Sequence, residues 1–250
     1  MYTLKKSLGQ HFLKDENLCR RMVGALQEHP FTRLVEVGPG GGALTKYLLE
    51  LPAIDFKAIE IDREKVAYLL HTYPQLEGKL LEQDILQTAP PFPEPFTIVG
   101  NFPYNISTEI VFRIIDWREQ VQCCVGMFQK EVAERIAAPH GSKVYGVTSV
   151  LTQLYFDVEY LFDVPPEAFN PPPKVMSGVI RMLPKKENMA VASHQKMRNL
   201  VKAAFNQRRK MIRNAVKHLF PVAALSNEIF NKRAEQLSVQ DFAALTFHMS

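Results

Sequence analysis

Residues Glu36 to Thr45 read EVGPGGGALT, directly after the short β-branched run RLVEV of Arg33 to Val37. A glycine cluster between a strand and a helical pattern narrows the possible folds more than any other feature of the chain. Gly38, Gly40 and Ala43 satisfy the G-x-G-x-x-G/A spacing of dinucleotide folds. Glycines let the backbone approach a ligand closely, and the helix N-terminus offers free N–H groups to an anion. Glu60 ends the next strand pattern, 22 residues beyond Gly38. A carboxylate there accepts hydrogen bonds from two ribose hydroxyls. Asp84 ends a third, weaker strand pattern, KLLEQ, where a carboxylate can reach the exocyclic amine of an adenine. A lone glycine loop is commonly only a tight turn. With acids at the ends of the next two strands it reads as a site for a nucleoside-containing cofactor. NAD and S-adenosylmethionine both fit at this level, since both bind at the carboxyl ends of strands.

The rest of the chain continues the alternation. Asp15 is placed to cap a helix over DENLCRRMVGAL, and GALTKYLLEL has helical spacing. REKVAYLLHTY, STEIVFRIID (capped near Ser107 or Thr108) and QKEVAERIA read as further helices. FTIVG and QCCVGMF read as strands, GVTSVLTQLYFDVEYLFDV as helix then strand, and KVMSGVIRMLP as a last strand. This pattern predicts an α/β fold with a mostly parallel sheet covered on both faces. The last two strands have no helix between them, so an antiparallel pairing is expected. LPKKENMA, Leu183 to Ala190, reads as a linker, and only helical signals follow it. The expected domains are therefore 1–184 and a small all-helical 185–250.

The net charge of +4 is unevenly spread. Between Glu187 and Glu228 there is no acidic residue, while eight Lys and Arg residues fall there, which leaves the remainder at −4. Arg208, Arg209, Lys210 and Arg213 cluster most tightly. A cationic module on a slightly acidic body suits a polyanion such as nucleic acid. The alternative is a solvated helix face, the expectation for Lys196 and Lys202. The three cysteines, Cys19, Cys123 and Cys124, show no CxxC spacing and imply neither zinc nor a disulfide framework. A reducing, cytoplasmic location is expected, with no signal core and no span long enough for a bilayer.

Five motifs now occur in order: GQHFL (Gly9 to Leu13), EVGPGGGALT, IEID (Ile59 to Asp62), NFPY (Asn101 to Tyr104) and FNPPPKV (Phe169 to Val175). Together they resemble the ribosomal RNA adenine dimethyltransferase family, most closely its KsgA-type branch. AFNQRRKMIRN, Ala204 to Asn214, resembles that branch's C-terminal helical domain, so the likeness covers essentially the whole chain. The resemblance implies a class I, Rossmann-like methyltransferase fold with a seven-stranded sheet. It also implies S-adenosylmethionine as methyl donor and no metal. The implied substrate is a pair of adjacent adenines in a hairpin near the 3′ end of 16S rRNA, each dimethylated by a monomeric enzyme with a role in small-subunit biogenesis. The same motifs would serve an Erm-type 23S rRNA methyltransferase, and a ribosome-assembly factor with secondary catalysis is the reading from another class.

Carried over by motif, His11, Leu13, Gly38, Gly40, Glu60, Ile61, Asp84, Ile85 and Asn101 line the cofactor site. Asn101, Phe102, Pro103, Tyr104 and Phe169 face the target base. Three positions depart from the family pattern: His11 stands where Asn is more usual, Phe102 where Leu is, and Gln83 where Gly is frequent. Phe102 is expected to add aromatic surface beside the target. Adenine's amine is a poor nucleophile because its lone pair is delocalised into the ring. Two acceptors, the Asn101 side-chain oxygen and the backbone carbonyl of Phe102 or Pro103, would localise it. A base drawn from its stack costs a few kcal/mol, and stacking on Tyr104 and Phe169 is expected to offset that. The arginine-rich cluster is expected to grip phosphates without reading sequence, and Lys5 and Lys6 to add contacts near the cofactor mouth.

Overall fold

The computed structural model describes residues 11–250. Lys5, Lys6, Gly9 and Gln10 lie outside the described residues. In chain order the elements are β1 (Phe12–Leu13), α1 (Glu16–Gln27), β2 (Arg33–Val37), α2 (Thr45–Leu48), β3 (Asp55–Glu60), α3 (Arg63–Thr72), β4 (Leu80–Glu82), β5 (Phe96–Asn101) and α4 (Ser107–Asp116). They continue as β6 (Val121–Gln129), α5 (Lys130–Ala137), α6 (Val147–Gln153), β7 (Phe156–Val164), β8 (Phe169–Asn170), β9 (Ser177–Pro184), α7 (His194–Asn206), α8 (Ile212–Val216) and α9 (Val239–Leu245). Short 3-10 turns connect several of these.

Seven strands form one sheet in the order β4-β3-β2-β5-β6-β9-β7. The pairs β3–β4, β2–β3, β2–β5 and β5–β6 are parallel, and β9 runs antiparallel to β6. From β2 the chain winds outward through β3 and β4, then returns to the other side of β2 as β5. That reversal opens a crevice beyond the carboxyl ends of β2 and β5, where ligands bind in open α/β sheets. The glycine loop leaves β2 there, and NFPY leaves β5. The central strands read as largely apolar runs because both faces are covered. Val35, Ile98, Val99, Cys124 and Val125 are all fully buried.

Asp15 caps α1 as expected, its carboxylate accepting from the N–H groups of Asn17 and Leu18 at 2.9 and 3.1 Å. Two local expectations are corrected. The α2 helix has only four residues, because Gly40 and Gly42 hold positive φ and no helix can start before them. The N-cap of α4 is Ile106, with no side-chain cap, and the Ser107 hydroxyl instead donates back to the Tyr104 carbonyl at 3.2 Å.

The chain divides into two compact units, one running through Ala133 and resuming at Val158–Pro184, the other comprising Glu134–Asp157 and Lys185–Ser250. The second takes in a segment that the linear boundary at 184 leaves with the sheet. The reason is aromatic packing: Tyr145 meets Phe205 edge-on at 5.9 Å, and Phe205 meets Phe242 at the same separation. The Gly141 N–H also donates to the Glu235 carbonyl at 2.6 Å. Among the described residues no helix is long and apolar enough to cross a membrane.

One core contact fixes the turn after β5. Phe102 is 1% exposed, and its ring lies edge-on to Phe128 at 5.0 Å. A Cβ built on Gly100 would meet the Phe102 ring at 2.6 Å, and one built on Gly126 would meet it at 2.4 Å. The ring thus occupies the space two glycines leave on neighbouring strands. Gly126→Ala is therefore expected to overpack this slot and lose about 1–3 kcal/mol of stability, read by equilibrium urea unfolding.

Candidate active site

The glycine loop and Glu60 are tied together. Gly40 N–H donates to Glu60 Oε2 at 3.2 Å, and Asp62 N–H donates to Oε1 at 2.9 Å. Each carboxylate oxygen keeps a further lone pair for a ligand hydroxyl. Another residue at Gly40 would be strained, since its φ is +57° and an added Cβ would come within 3.1 Å of the Phe12 ring. Asp84 is held by its own loop, with Oδ1 accepting from Leu86 N–H at 2.9 Å and Oδ2 from Gln87 Nε2 at 3.1 Å. Gln83, where the family often has Gly, accepts from the Thr88 hydroxyl and braces that loop.

His11, Leu13, Gly38, Gly40, Glu60, Ile61, Asp84, Ile85, Asn101, Phe102, Pro103 and Tyr104 all line one cleft of about 1060 Å³, counting space open to solvent. Ile61 is 57% exposed at its wall. A large apolar side chain left uncovered beside Asp84 and Ile85 fits the flat face of a purine.

Phe169 is the exception. It lies outside the cleft lining and is 1% exposed. The two-stranded ribbon of β1 and β8 sets Leu13 opposite Phe169 and Phe12 opposite Asn170. The Phe169 ring belongs to the sheet's hydrophobic core with Leu13, Met22, Val99 and Val179, so it offers no face to a base. The Phe102 expectation is corrected for the same reason: its ring is buried in the glycine slot and adds no aromatic surface to the cleft.

The ribbon's purpose is visible in His11. Its Nδ1 donates to the Pro171 carbonyl at 2.9 Å, its ring stacks on Tyr104 at 5.5 Å and 30°, and its own carbonyl accepts from Asn101 Nδ2 at 3.0 Å. The last bond orients the amide: the nitrogen is committed to His11, and Oδ1 is the remaining acceptor. Phe102 N–H donates to the Met127 carbonyl at 3.1 Å, and the Pro103 carbonyl is taken by Ile106 N–H at 3.2 Å. The Pro103 carbonyl thus has one acceptor position engaged within the turn. The Tyr104 hydroxyl meets Ser177 Oγ at 2.5 Å.

In the other unit, Arg209 and Lys210 are exposed after α7. Arg208 is turned inward, donating to the carbonyls of Ser142 and Lys143 and lying 3.8 Å from Glu235. Arg213 is half-buried, with Nε enclosed and lacking a hydrogen-bond partner among the described residues. Lys196 is not simply solvated, because its Nζ donates to the Met249 carbonyl at 2.9 Å.

The family profile described as Ribosomal RNA adenine dimethylase matches residues 1–248. A protein of Cytophaga hutchinsonii called Ribosomal RNA small subunit methyltransferase A is 48% identical, over 98% of this chain and 97% of its own. Its counterpart of the same name in Flavobacterium johnsoniae is 47% identical, over 97% and 94%. Among solved structures, a dimethyladenosine transferase from Plasmodium falciparum superposes with a TM-score of 0.78 at 27% identity, covering 93% of this chain and 94% of that one. The 23S rRNA methyltransferase ErmE shares the fold, with a TM-score of 0.69 at 24% identity over 93% and 99%. The chain belongs to the ribosomal RNA adenine dimethylase family.

Within that family site, Glu36 is one of several lining residues that were not among the expected ones, Lys65 being another. Glu36 lines the cleft, is 1% exposed, and accepts from the Thr45 hydroxyl at 2.7 Å. A single acid inside the apolar strand RLVEV was the available signal. Burial pushes its carboxyl from an ordinary 4.5 up to about 8, the Thr45 hydrogen bond opposes this, and the nearby Glu60 charge adds to it. The folded state therefore keeps a proton that the unfolded chain has already released, and stability falls as pH rises from about 4.5 to about 8. Glu36→Gln removes this term. Its melting temperature should vary less than the wild type's across that interval, as thermal melts at a series of pH values would show.

Proposed function

We propose that this protein transfers methyl groups from S-adenosylmethionine to the N6 amines of two adjacent adenines in the 3′-terminal hairpin of small-subunit rRNA. The observation that carries the reading is the Asn101 amide, held by the His11 carbonyl so that Oδ1 is its only spare acceptor. Relatives near 48% identity along the whole chain, named for the small subunit, favour that target over 23S rRNA.

The cleft suits the donor. Glu60 takes ribose hydroxyls, Asp84 takes the adenine amine, and Ile61 and Ile85 cover the purine faces. S-adenosylmethionine supplies a methyl group already activated on a sulfonium, so the protein needs neither a metal nor a covalent intermediate. What remains for the chain is placement. Asn101 Oδ1 and the Phe102 carbonyl accept the two N–H groups of the target amine and localise its lone pair. An amide is too weak a base to take the proton, so Asn101 orients and stabilises developing positive charge. Tyr104 supplies the stacking face for the extruded base. His11 already covers one side of that ring, so the base takes the other.

Arg209 and Lys210 grip RNA phosphates, with Arg208 and Arg213 contributing charge from half-buried positions. Replacing Arg209 and Lys210 by Gln should weaken RNA binding and reduce the slope of log affinity against log salt by about 1.5, measured by filter binding. Asn101→Ala should lose about 10²–10³-fold in methyl transfer while calorimetry shows that S-adenosylmethionine binding persists. The assay is incubation of unmethylated small subunits with labelled donor, followed by mapping of modified bases. Normal methylation by the variant would overturn the amine clamp.

A further inference from the structure

We infer that Ser177 is a positioning residue for methyl transfer, acting by fixing the direction of the Tyr104 ring axis. The inference rests on the reading of Tyr104 as the stacking face for the target base. Stacking needs only a ring, and phenylalanine would provide one. A tyrosine is required only if its hydroxyl has work of its own, and here that hydroxyl meets Ser177 Oγ at 2.5 Å.

Ser177 is well placed to be the fixed end of that bond. It is the first residue of β9, fully buried, and paired in register with Gln129 at the end of β6. Two residues earlier on β6, the Met127 carbonyl receives the Phe102 N–H at 3.1 Å. The two ends of the NFPY turn are thus referenced to one strand: Phe102 through its backbone and Tyr104 through Ser177. Across its face the Tyr104 ring is stacked on His11, which limits turning of the ring about its own Cβ–Cγ axis but leaves that axis free to swing about Cα–Cβ. A hydroxyl tether at the far end of the ring removes that freedom. Burial pushes the Tyr104 phenol above its ordinary range, and the Ser177 hydrogen bond opposes the rise, so the hydroxyl stays neutral and can serve as donor or acceptor.

The base plane follows the ring plane, and the base plane sets where the amine meets Asn101 Oδ1 and the Phe102 carbonyl. Small misplacements of a reacting group are costly in rate. Ser177→Ala and Tyr104→Phe should each lower kcat on unmethylated small subunits by about tenfold, with KM and donor affinity within about twofold of wild type. The double variant should be no slower than either single one, because both remove the same bond. Wild-type kcat in both single variants, or losses that multiply in the double, would overturn the tether. Should Ser177→Ala fail to fold, Tyr104→Phe decides alone, since it leaves the sheet untouched, and full activity there refutes the proposal. Tyr104→Ala separates the two levels. If it transfers methyl groups normally, the stacking reading falls and the tether with it. If it is inactive while Tyr104→Phe and Ser177→Ala are fully active, only the tether falls.

Discussion

The cleft depends on a space that two glycines leave empty. Phe102 fills the slot above Gly100 and Gly126, on adjacent parallel strands, and a buried phenylalanine is a large apolar anchor. Its backbone cannot shift without dragging the ring through close-packed core. The residues on either side, Asn101 and Pro103, inherit that rigidity. This is why a turn, normally a mobile element, can carry groups that need sub-ångström placement. The family's more usual leucine at this position would fill less of the slot, and here the aromatic ring gains an edge-on contact with Phe128 instead of a role at the target.

The second dependence is on His11. It joins three segments far apart in sequence: the entry to β1, the turn after β5, and the proline run after β8. Each bond is modest alone, with a net worth of about 1 kcal/mol. Their value is geometric. A carbonyl can only accept, so the bond to Pro171 requires the proton on Nδ1, and the ring plane is then set for stacking on Tyr104. An asparagine in this place could make polar bonds but no stacked contact. The departure from the family pattern is thus accompanied by an extra surface against Tyr104.

Much of this was legible from residues alone, for identifiable reasons. The glycine loop and the acids Glu60 and Asp84 are local signals: a strand period, a positive-φ residue type and a charge at a strand end. The mostly parallel sheet follows from the alternation of strand and helix patterns, whereas the strand order is seen only in the fold. The two aromatic assignments at Phe102 and Phe169 failed for a common cause. A motif tells which residues are near a site, but not which way a side chain points, and one residue of register decides between core and cleft. Phe169 is turned inward by its pairing with Leu13. Residues 134–157 carry the same alternating pattern as the rest of the sheet domain. Contacts such as Tyr145 meeting Phe205 and Gly141 N–H donating to the Glu235 carbonyl assign them to the other unit, and such contacts leave no trace in local periodicity. Among the four basic candidates, charge alone could not distinguish Arg209 and Lys210, which face solvent, from Arg208, which is spent on the carbonyls of residues 142 and 143.

The choice of an amide at position 101 follows from the same geometry. A carboxylate would be the stronger acceptor for an amine, and beside a sulfonium it would be electrostatically welcome. It has no N–H, however, and its oxygen would face the His11 carbonyl at about the 3.0 Å that Asn101 Nδ2 now spans. Two acceptors at that distance in a half-buried site repel. The side chain would swing away, and with it the acceptor meant for the adenine. Asparagine is the shortest side chain that donates to the scaffold and, in the proposed role, accepts from the substrate through one rigid plane. The orientation of its oxygen is then a consequence of β1 lying where its ribbon with β8 puts it, so the N-terminal motif governs the chemistry although it need never touch the base.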